Sequence, residues 1–207
     1  MSRTDDKSGR LLLVHSHFGP APDLFALAME RNDALLVRER DLSPHLFATA
    51  RGLITTSHLD QVGFMQFSDA LATFMARGGR WFFNGHIMRP FLAGLEHFLP
   101  IPRARRTDLT LTRLAEHPIF SGIEQSDFEE NNGVAGFYGR GHNPMPQGAR
   151  AINGIGPDRH PIDWEWTLPA GGKMFSHAGN DIGGMKGPNP NHAIVGPRII
   201  AWTTGEL

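Results

Sequence analysis

The sequence predicts an α/β protein whose mainly parallel sheet is covered by helices on both faces. Short apolar runs typical of buried strands alternate with amphipathic segments in the first half of the chain. The predicted order over 11–98 is strand, helix, strand, strand, helix, strand, helix. This order is typical of a mainly parallel sheet, because parallel neighbours are joined by crossover connections rather than by tight hairpins.

Strands are predicted at Leu11–Val14, 34–38 and 52–56, because each is a short run dominated by apolar residues. Between the first two, a helix begins at Pro22 and Asp23 and runs to about Arg31. Proline fits the first turn of a helix, and an aspartate there is stabilised by the positive end of the helix dipole.

The clearest predicted helix covers 61–77. One apolar face has the 3, 4, 3 spacing of an amphipathic helix, with Phe64, Phe67, Leu71, Phe74 and Met75. Gly78-Gly79 ends this helix. The buried strand 81–83 and a helix over about 88–98, with Pro90 in its first turn, are predicted to follow.

After residue 100 the patterns are weaker. Alternating apolar and polar residues predict strands at 109–114 and 162–168, and Gly171-Gly172 precedes another at 173–176. A closing helix is predicted over 191–204. Gly196-Pro197 is expected to break or delay it, because proline lacks the backbone N–H that a helix interior needs.

Composition limits the classes of function. The chain has 207 residues, a net charge of −1 and no cysteine. We expect a frayed tail at 1–10 and a single domain over 11–207. The near-neutral charge gives no reason to expect nucleic acid or an anionic membrane as a partner, and no apolar run approaches the roughly 18 residues of a membrane span. The lack of cysteine excludes disulfides and thiol catalysis and fits a cytoplasmic location.

Three segments together resemble the class I glutamine amidotransferase-like superfamily, especially its divergent members related to ThuA-like proteins. They are Gly79–His86, similar to the nucleophile elbow; His117–Ile123, similar to the segment HP(I/L)xxGI; and Gly172–Asp181, similar to the strand and loop with the catalytic histidine. The resemblance implies a flavodoxin-like three-layer sandwich. It also implies a site at the elbow, near His177.

The chain departs from that family at the nucleophile. Active glutamine amidotransferases carry cysteine at the elbow, where this chain has His86. A glutaminyl thioester cannot form without a thiol, so glutaminase activity is not carried over. The residues after His177, Ala178–Asp181, also differ from the His-Pro-Glu of the active enzymes.

Histidines follow several predicted strands, and the carboxyl ends of parallel strands form the usual ligand site of such sheets. The candidate catalytic residues are His86, His177 and Asp181. The candidate ligand-binding residues are His15, His17, His58, Gly85, Glu129 and Asn180. Gly85 forms the bend of the elbow, and Glu129 belongs to an acidic loop that could reach over the site.

Three interpretations of this group stay open. The histidines can be ordinary polar loop residues. Alternatively, His86 or His177 moves a proton while Asp181 orients a partner ring. The third interpretation is a divalent metal site, since imidazole and carboxylate suit zinc, iron or manganese, although no HExxH motif supports it. Metal and cofactor therefore stay unknown at this stage.

The sequence thus predicts a protein without glutaminase chemistry that binds a small polar molecule at the strand ends, with His-dependent hydrolysis as the reaction if it is an enzyme. The alternative is a non-catalytic structural or oligomerising subunit, a homo-oligomer included. Aromatic residues at 128–138 and 164–166 would then form the interface.

Overall fold

The computed structural model of the chain describes residues 9–30, 34–183, 185 and 189–207. Most of the predicted N-terminal tail, residues 1–8, lies outside the described residues, as does the predicted helix end at Arg31. Five α-helices are described: α1 (Asp23–Glu30), α2 (Pro44–Thr49), α3 (Gln61–Phe64), α4 (Ser68–Ala76) and α5 (Asn191–Thr204). None of the helices in this part of the chain has the length and apolar character that crossing a membrane requires.

The described strands are, in chain order, β1 (Leu11–His15), β2 (Ala34–Arg38), β3 (Gly52–Thr55), β4 (Arg80–Asn84), β5 (Leu99–Pro100), β6 (Leu111–Arg113), β7 (Glu130–Asn131), β8 (Val134–Ala135), β9 (Gly141–His142), β10 (Arg150–Ile155), β11 (His160–Thr167) and β12 (Lys173–His177). Eight of them form one sheet in the order β2-β1-β3-β4-β12-β11-β10-β6. The pairs β5–β9 and β7–β8 form two small separate ladders.

The central sheet is parallel over most of its width. Strands β2, β1, β3, β4 and β12 pair in parallel, whereas β11, β10 and β6 extend the sheet antiparallel at one edge. Helices cover both faces, so the predicted flavodoxin-like α/β sandwich is confirmed. The parallel strands end at one edge of the sheet, where β12 is in register with β4 through His177 and Asn84.

Each face of the sheet has its own apolar core, because side chains alternate between the two faces along a buried strand. One core contains Leu11, Leu13, Phe82 and Phe175 with residues of α1 and α5. The opposite core contains Leu12, Val14, Trp81 and Phe83 with residues of α2, α3 and α4. This double burial explains why the central strands are continuous apolar runs.

The predicted helix over 88–98 is wrong. That segment is irregular and ends in β5, although Ile87, Phe91 and Leu95 are still buried. Gly94 has a φ of +94°, a left-handed conformation that an α-helix excludes. Side chains replace the missing helical hydrogen bonds: Gln61 Oε1 accepts from the N–H groups of Met88 and Arg89.

Other boundaries also differ from the prediction. The helix expected over 61–77 is divided into α3 and α4 by a 3-10 turn at Met65–Phe67. Helix α5 continues through Pro197 instead of breaking there. Its residues Val195, Ile199 and Trp202 are buried against the sheet, and this burial offsets the roughly 3 kcal/mol that an interior proline costs. The predicted strand 109–114 is shortened to β6, whereas α2 and β10 were not predicted.

Candidate functional site

A cleft of about 270 Å³ lies at the carboxyl ends of the parallel strands. Its lining residues come from the segments that follow β3, β4 and β12, together with the start of α3. They are Ser57, His58, Gln61, Gly85, His86, Met88, Gly179 and Asn180. The cleft therefore lies where an open parallel sheet usually binds ligands.

The turn after β4 depends on Gly85. Its φ is +116°, and a Cβ atom at this position would come within 2.9 Å of the Cα atom of Ser57. Its N–H donates to the carbonyl of His177 at 2.9 Å, which ties the turn to the end of β12. Only glycine satisfies both the backbone conformation and the close approach.

Two amide side chains hold this turn in place. Gln61 Nε2 donates to the His86 carbonyl at 2.7 Å, and Asn143 Nδ2 donates to the Gly85 carbonyl at 3.0 Å. Asn143 Oδ1 also accepts from the Ile87 N–H at 2.9 Å. Sequence analysis missed both residues, because no local pattern connects a glutamine at 61 or an asparagine at 143 with the elbow.

The elbow presents the side chain of His86 to the cleft. Its ring stacks on Phe98 with 3.7 Å between ring centroids. The pKa of His86 is lowered, first by the desolvation that the surrounding protein imposes and second by repulsion from His177. These effects favour the neutral imidazole, which can accept or donate one hydrogen bond.

Ser57, His58 and Asp181 form a second polar cluster, of which Ser57 and His58 line the cleft. Asp181 accepts from the Ser57 N–H at 2.9 Å and from its hydroxyl at 3.1 Å, and the Ser57 Oγ atom lies 3.2 Å from His58 Nδ1. The Asp181 carboxylate, whose Oδ2 atom lies 3.8 Å from His58 Nδ1, is the main cause of a raised pKa at His58. The His17 ring packs edge-on against the His58 ring, with 4.8 Å between centroids.

His177 is fully buried at the end of β12. Its Nδ1 atom is 2.7 Å from Asp163 Oδ1, and Asp163 lies on the adjacent antiparallel strand β11. The Nε2 atom of His177 is buried and has no hydrogen-bond partner among the residues that the structure describes. A Cβ atom on Gly179, which lines the cleft, would come within 2.7 Å of that Nε2 atom.

The structure therefore brings most of the predicted residues to one edge of the sheet but pairs them differently from expectation. The ring that Asp181 contacts is His58, whereas the carboxylate beside His177 is Asp163. Asn180 lines the cleft, and its side chain donates to the Phe137 carbonyl. Asp163 was missed, because its distance from His177 becomes short only through antiparallel strand pairing.

Three predicted ligand-binding residues do not line the cleft, namely His15, His17 and Glu129. His15 is buried at the end of β1, where its Nδ1 atom accepts from the His17 N–H. Burial is the main cause of its lowered pKa. Glu129 is placed in a different depression, and its carboxylate accepts from the Leu111 N–H at 2.8 Å. The idea that the acidic loop reaches over the site with Glu129 is therefore corrected, because that carboxylate is used to anchor β6.

The metal interpretation gains no support from the described residues. Within that part of the chain, no group of three or more histidine, aspartate or glutamate side chains is arranged to hold a metal ion. Of the two histidines that line the cleft, His58 lies beside Asp181 and His86 stacks on Phe98.

Comparison with known proteins indicates the fold. No protein-family model matches the sequence, and no curated protein matches it. Among solved structures, the chain is similar to the cytoplasmic protein STM3548 from Salmonella typhimurium, with a TM-score of 0.59, 8% identity and coverage of 93% of this chain and 98% of that one. It is also similar to the mmIFT52 N-terminal domain, with a TM-score of 0.58, 11% identity and coverage of 95% and 97%.

A glutamine amidotransferase from Methylobacillus flagellatus aligns with a TM-score of 0.52 and 11% identity, covering 82% of this chain and 68% of that one. Likeness at such low identity shows a shared fold. The chain therefore shares its α/β fold with these three proteins.

Proposed function

We propose that this protein is a divergent, ThuA-like member of the glutamine amidotransferase-like superfamily that binds a small polar molecule in the cleft at the strand ends. One observation carries the proposal. Polar side chains from three separate strand ends, Ser57 and His58 after β3, His86 after β4 and Asn180 after β12, line the same cleft. With no cysteine in the chain, glutaminase chemistry through a thioester is excluded.

The charge states at the cleft suit a polar ligand and proton transfer. Asp181 favours the protonated form of His58, whereas desolvation favours the neutral form of His86. Two imidazoles whose pKa values are shifted in opposite directions at one cleft offer an acid and a base. If the ligand is turned over, we propose His-dependent hydrolysis, with His86 as the general base and His58 as the proton donor.

The experiment compares the protein with its His86→Ala variant. Binding is followed by NMR during titration with small polar probes (acetate, acetamide, glycerol and inorganic phosphate), and hydrolysis is followed with p-nitrophenyl acetate. We expect the variant to lose probe binding or hydrolysis at the cleft. Its melting temperature should change little, because the ring makes one stacking contact worth about 0.5–1.5 kcal/mol.

The exposed His45, on α2, supplies the matched control, since His45→Ala removes an imidazole that does not line the cleft. Probe shifts at Ser57, Gly85 and Gly179 should survive in this control. A His86→Ala protein that binds the probes and hydrolyses the ester as well as the unaltered chain would overturn the proposal.

A second candidate function is a non-catalytic interaction subunit. The aromatic surface first expected at 128–138 and 164–166 does not support it, since Phe128, Tyr138 and Trp164 are buried. Phe18 does support it, because this side chain is 93% exposed in the loop after β1. Size-exclusion chromatography of the Phe18→Ser variant tests this function: dissociation of an oligomer would favour it, whereas a monomeric unaltered protein would contradict a homo-oligomeric role.

A further inference from the structure

We infer that Asp163 is a positioning residue that fixes the tautomer of His177, so that Nδ1 carries the proton and Nε2 is held as a hydrogen-bond acceptor for the ligand. The two residues face each other directly in the β11–β12 ladder. Both side chains are completely buried, and the distance from His177 Nδ1 to Asp163 Oδ1 is 2.7 Å.

The surroundings of Asp163 decide which atom donates. Its other oxygen, Oδ2, accepts from the Tyr138 hydroxyl at 2.5 Å and from Asn153 Nδ2 at 2.7 Å. The Asn153 amide is oriented by Gln125, whose Nε2 donates to Asn153 Oδ1 at 2.9 Å. Every group around the carboxylate is therefore a donor, and His177 contributes the third donor through Nδ1–H.

Tyr138 is a reliable donor in this network. Burial, followed by the charge of Asp163, raises the pKa of Tyr138 well above its ordinary value, so the hydroxyl keeps its proton. Its ring also packs edge-on against the His177 imidazole, with 4.5 Å between centroids. The imidazole is thus fixed in orientation as well as in tautomer.

When Nδ1 carries the only proton of the ring, the acceptor is Nε2, which has no partner within the described residues. An unpaired buried acceptor costs about 1–3 kcal/mol, and such groups are found where a ligand pairs with them. Gly179 lines the cleft and lies beside Nε2, since a Cβ atom at Gly179 would come within 2.7 Å of it. A ligand that reaches Nε2 past Gly179 must present an O–H or N–H group. This ligand step rests on the proposed function, whereas the assignment of the tautomer does not.

The Asp163→Asn variant gives a sharp test because it keeps the shape of the side chain. Tyr138 and Asn153 both donate to the Oδ2 position, so the new amide oxygen should occupy it. The amide NH₂ would then face His177 and donate to Nδ1. We expect the proton of the imidazole to move to Nε2, and nitrogen-15 NMR of the histidine rings, assigned with His177→Gln, measures this change.

The Tyr138→Phe variant is the matched control. It removes one donor to Oδ2 but leaves the Asp163–His177 pair, so Nδ1 should keep its proton. An unaltered protein with the proton on Nε2, or inversion in Tyr138→Phe as well, would overturn the inference. If Asp163→Asn does not fold, the tautomer of His177 in the unaltered protein still tests the inference.

Acetamide and acetate test the ligand step, because they share a shape and differ in the N–H donors. We expect Asp163→Asn to favour binding of acetate over acetamide about tenfold more than the unaltered protein does, as measured by the ratio of the two dissociation constants. This factor is the cost of leaving one buried donor or acceptor unpaired. An inverted tautomer with an unchanged ratio would overturn the ligand step and count against the proposed cleft function, while the positioning role of Asp163 would stand.

Discussion

Asp181, in the loop after β12, accepts two hydrogen bonds from Ser57 at the end of β3, one from the main-chain N–H at 2.9 Å and one from the hydroxyl at 3.1 Å. The two residues are 124 positions apart in sequence. Ser57 lines the cleft, and the same carboxylate lies 3.8 Å from His58 Nδ1. Asp181 therefore links the geometry of the cleft to the protonation of His58.

The Asp181→Asn variant should lower the pKa of His58, because the neighbouring Asp181 carboxylate is the main cause of its raised pKa. A raised pKa contributes stability that is present below the unfolded value near 6.5 and is lost as the pH rises through the folded value. The variant should therefore lose more stability at pH 5.5 than at pH 8.5. NMR titration of His58 and thermal unfolding at both pH values measure these effects.

The His58→Gln variant separates this linkage from the loss of the Ser57 hydrogen bonds. In a His58→Gln background, Asp181→Asn should cost the same stability at both pH values. A pH-dependent difference that persists without His58 would contradict the assignment.

Removing the Gln61 side chain should loosen the elbow. Gln61→Ala deletes three hydrogen bonds, those to the His86 carbonyl and from the Met88 and Arg89 N–H groups. At about 1 kcal/mol for a typical bond, partly recovered by water at this partly exposed site, we expect a loss of roughly 1–2 kcal/mol. Hydrogen exchange at Met88 and Arg89 should accelerate, whereas exchange in the central strand β4 should change only as much as global stability does.

Gln66→Ala is the control for that measurement, because the Gln66 side chain donates one exposed hydrogen bond, to the Gly63 carbonyl, and does not touch the elbow. Equal acceleration at Met88 in both variants would show that Gln61 has no specific role there.

Gly179→Ala should be strongly destabilising. The added Cβ atom would lie 1.7 Å from the Tyr138 carbonyl oxygen and 2.7 Å from His177 Nε2, so the backbone has to move. Overpacking of this kind typically costs 1–3 kcal/mol or more. Chemical unfolding measures the loss, and the Tyr138 and His177 ring signals should shift in the NMR spectrum.

Gly122→Ala provides the comparison, since a Cβ atom at Gly122 would have no neighbour within 4 Å and the cost comes only from its φ of +69°. We expect a loss of about 1 kcal/mol there. A Gly179→Ala protein no less stable than Gly122→Ala would contradict the close approach of Gly179 to Tyr138.

Glu165 should stabilise the fold in a pH-dependent way. Burial alone raises its pKa, but the hydrogen bond from His117, the charge of Lys173 and the Trp202 N–H outweigh burial and lower the pKa to about 2. A lowered pKa contributes stability above the unfolded value of 4.5 that is lost as the pH falls through about 2. The size of the shift corresponds to about 3 kcal/mol.

Glu165→Gln should therefore be less stable than the unaltered protein at pH 7, and the difference should shrink between pH 4.5 and pH 2. Urea unfolding across this range measures it. Glu116→Gln is the control, because the Glu116 side chain is 77% exposed and its pair with Arg113 should contribute little. A Glu165→Gln difference that is constant with pH would contradict the lowered pKa.

Much of the fold could be predicted from local patterns. The apolar runs predicted β1, β3 and β4, because strands buried on both faces leave a continuous hydrophobic record in the sequence. Edge strand β2 was predicted in the same way although most of its residues are only partly buried. The same reasoning failed for 88–98. The buried residues Ile87, Phe91 and Leu95 have the spacing of a helix face. Gly94 and side-chain hydrogen bonds nevertheless hold this segment in an irregular conformation. Burial alone does not distinguish these two backbones.

The sequence predicted the edge of the sheet at which the candidate site lies, but it did not predict which side chains of the site contact each other. His58, His86 and Asn180 line one cleft because parallel strands end at the same edge of the sheet, which follows from the order of the elements. Glu129 does not reach that edge, since its carboxylate is bonded to the Leu111 N–H. The sequence offered no signal that distinguished an acidic loop over the cleft from one that anchors a strand.

The sequence by itself determined the succession of buried strands and amphipathic helices, the glycine bend at Gly85 and the absence of a thiol nucleophile. Only the tertiary structure decided that His177 pairs with Asp163 and that Asp181 pairs with Ser57. The physical reason is that periodicity and turn residues act over a few positions of the chain. Hydrogen-bond partners in a sheet depend instead on strand order and register, which emerge only when distant segments pack together.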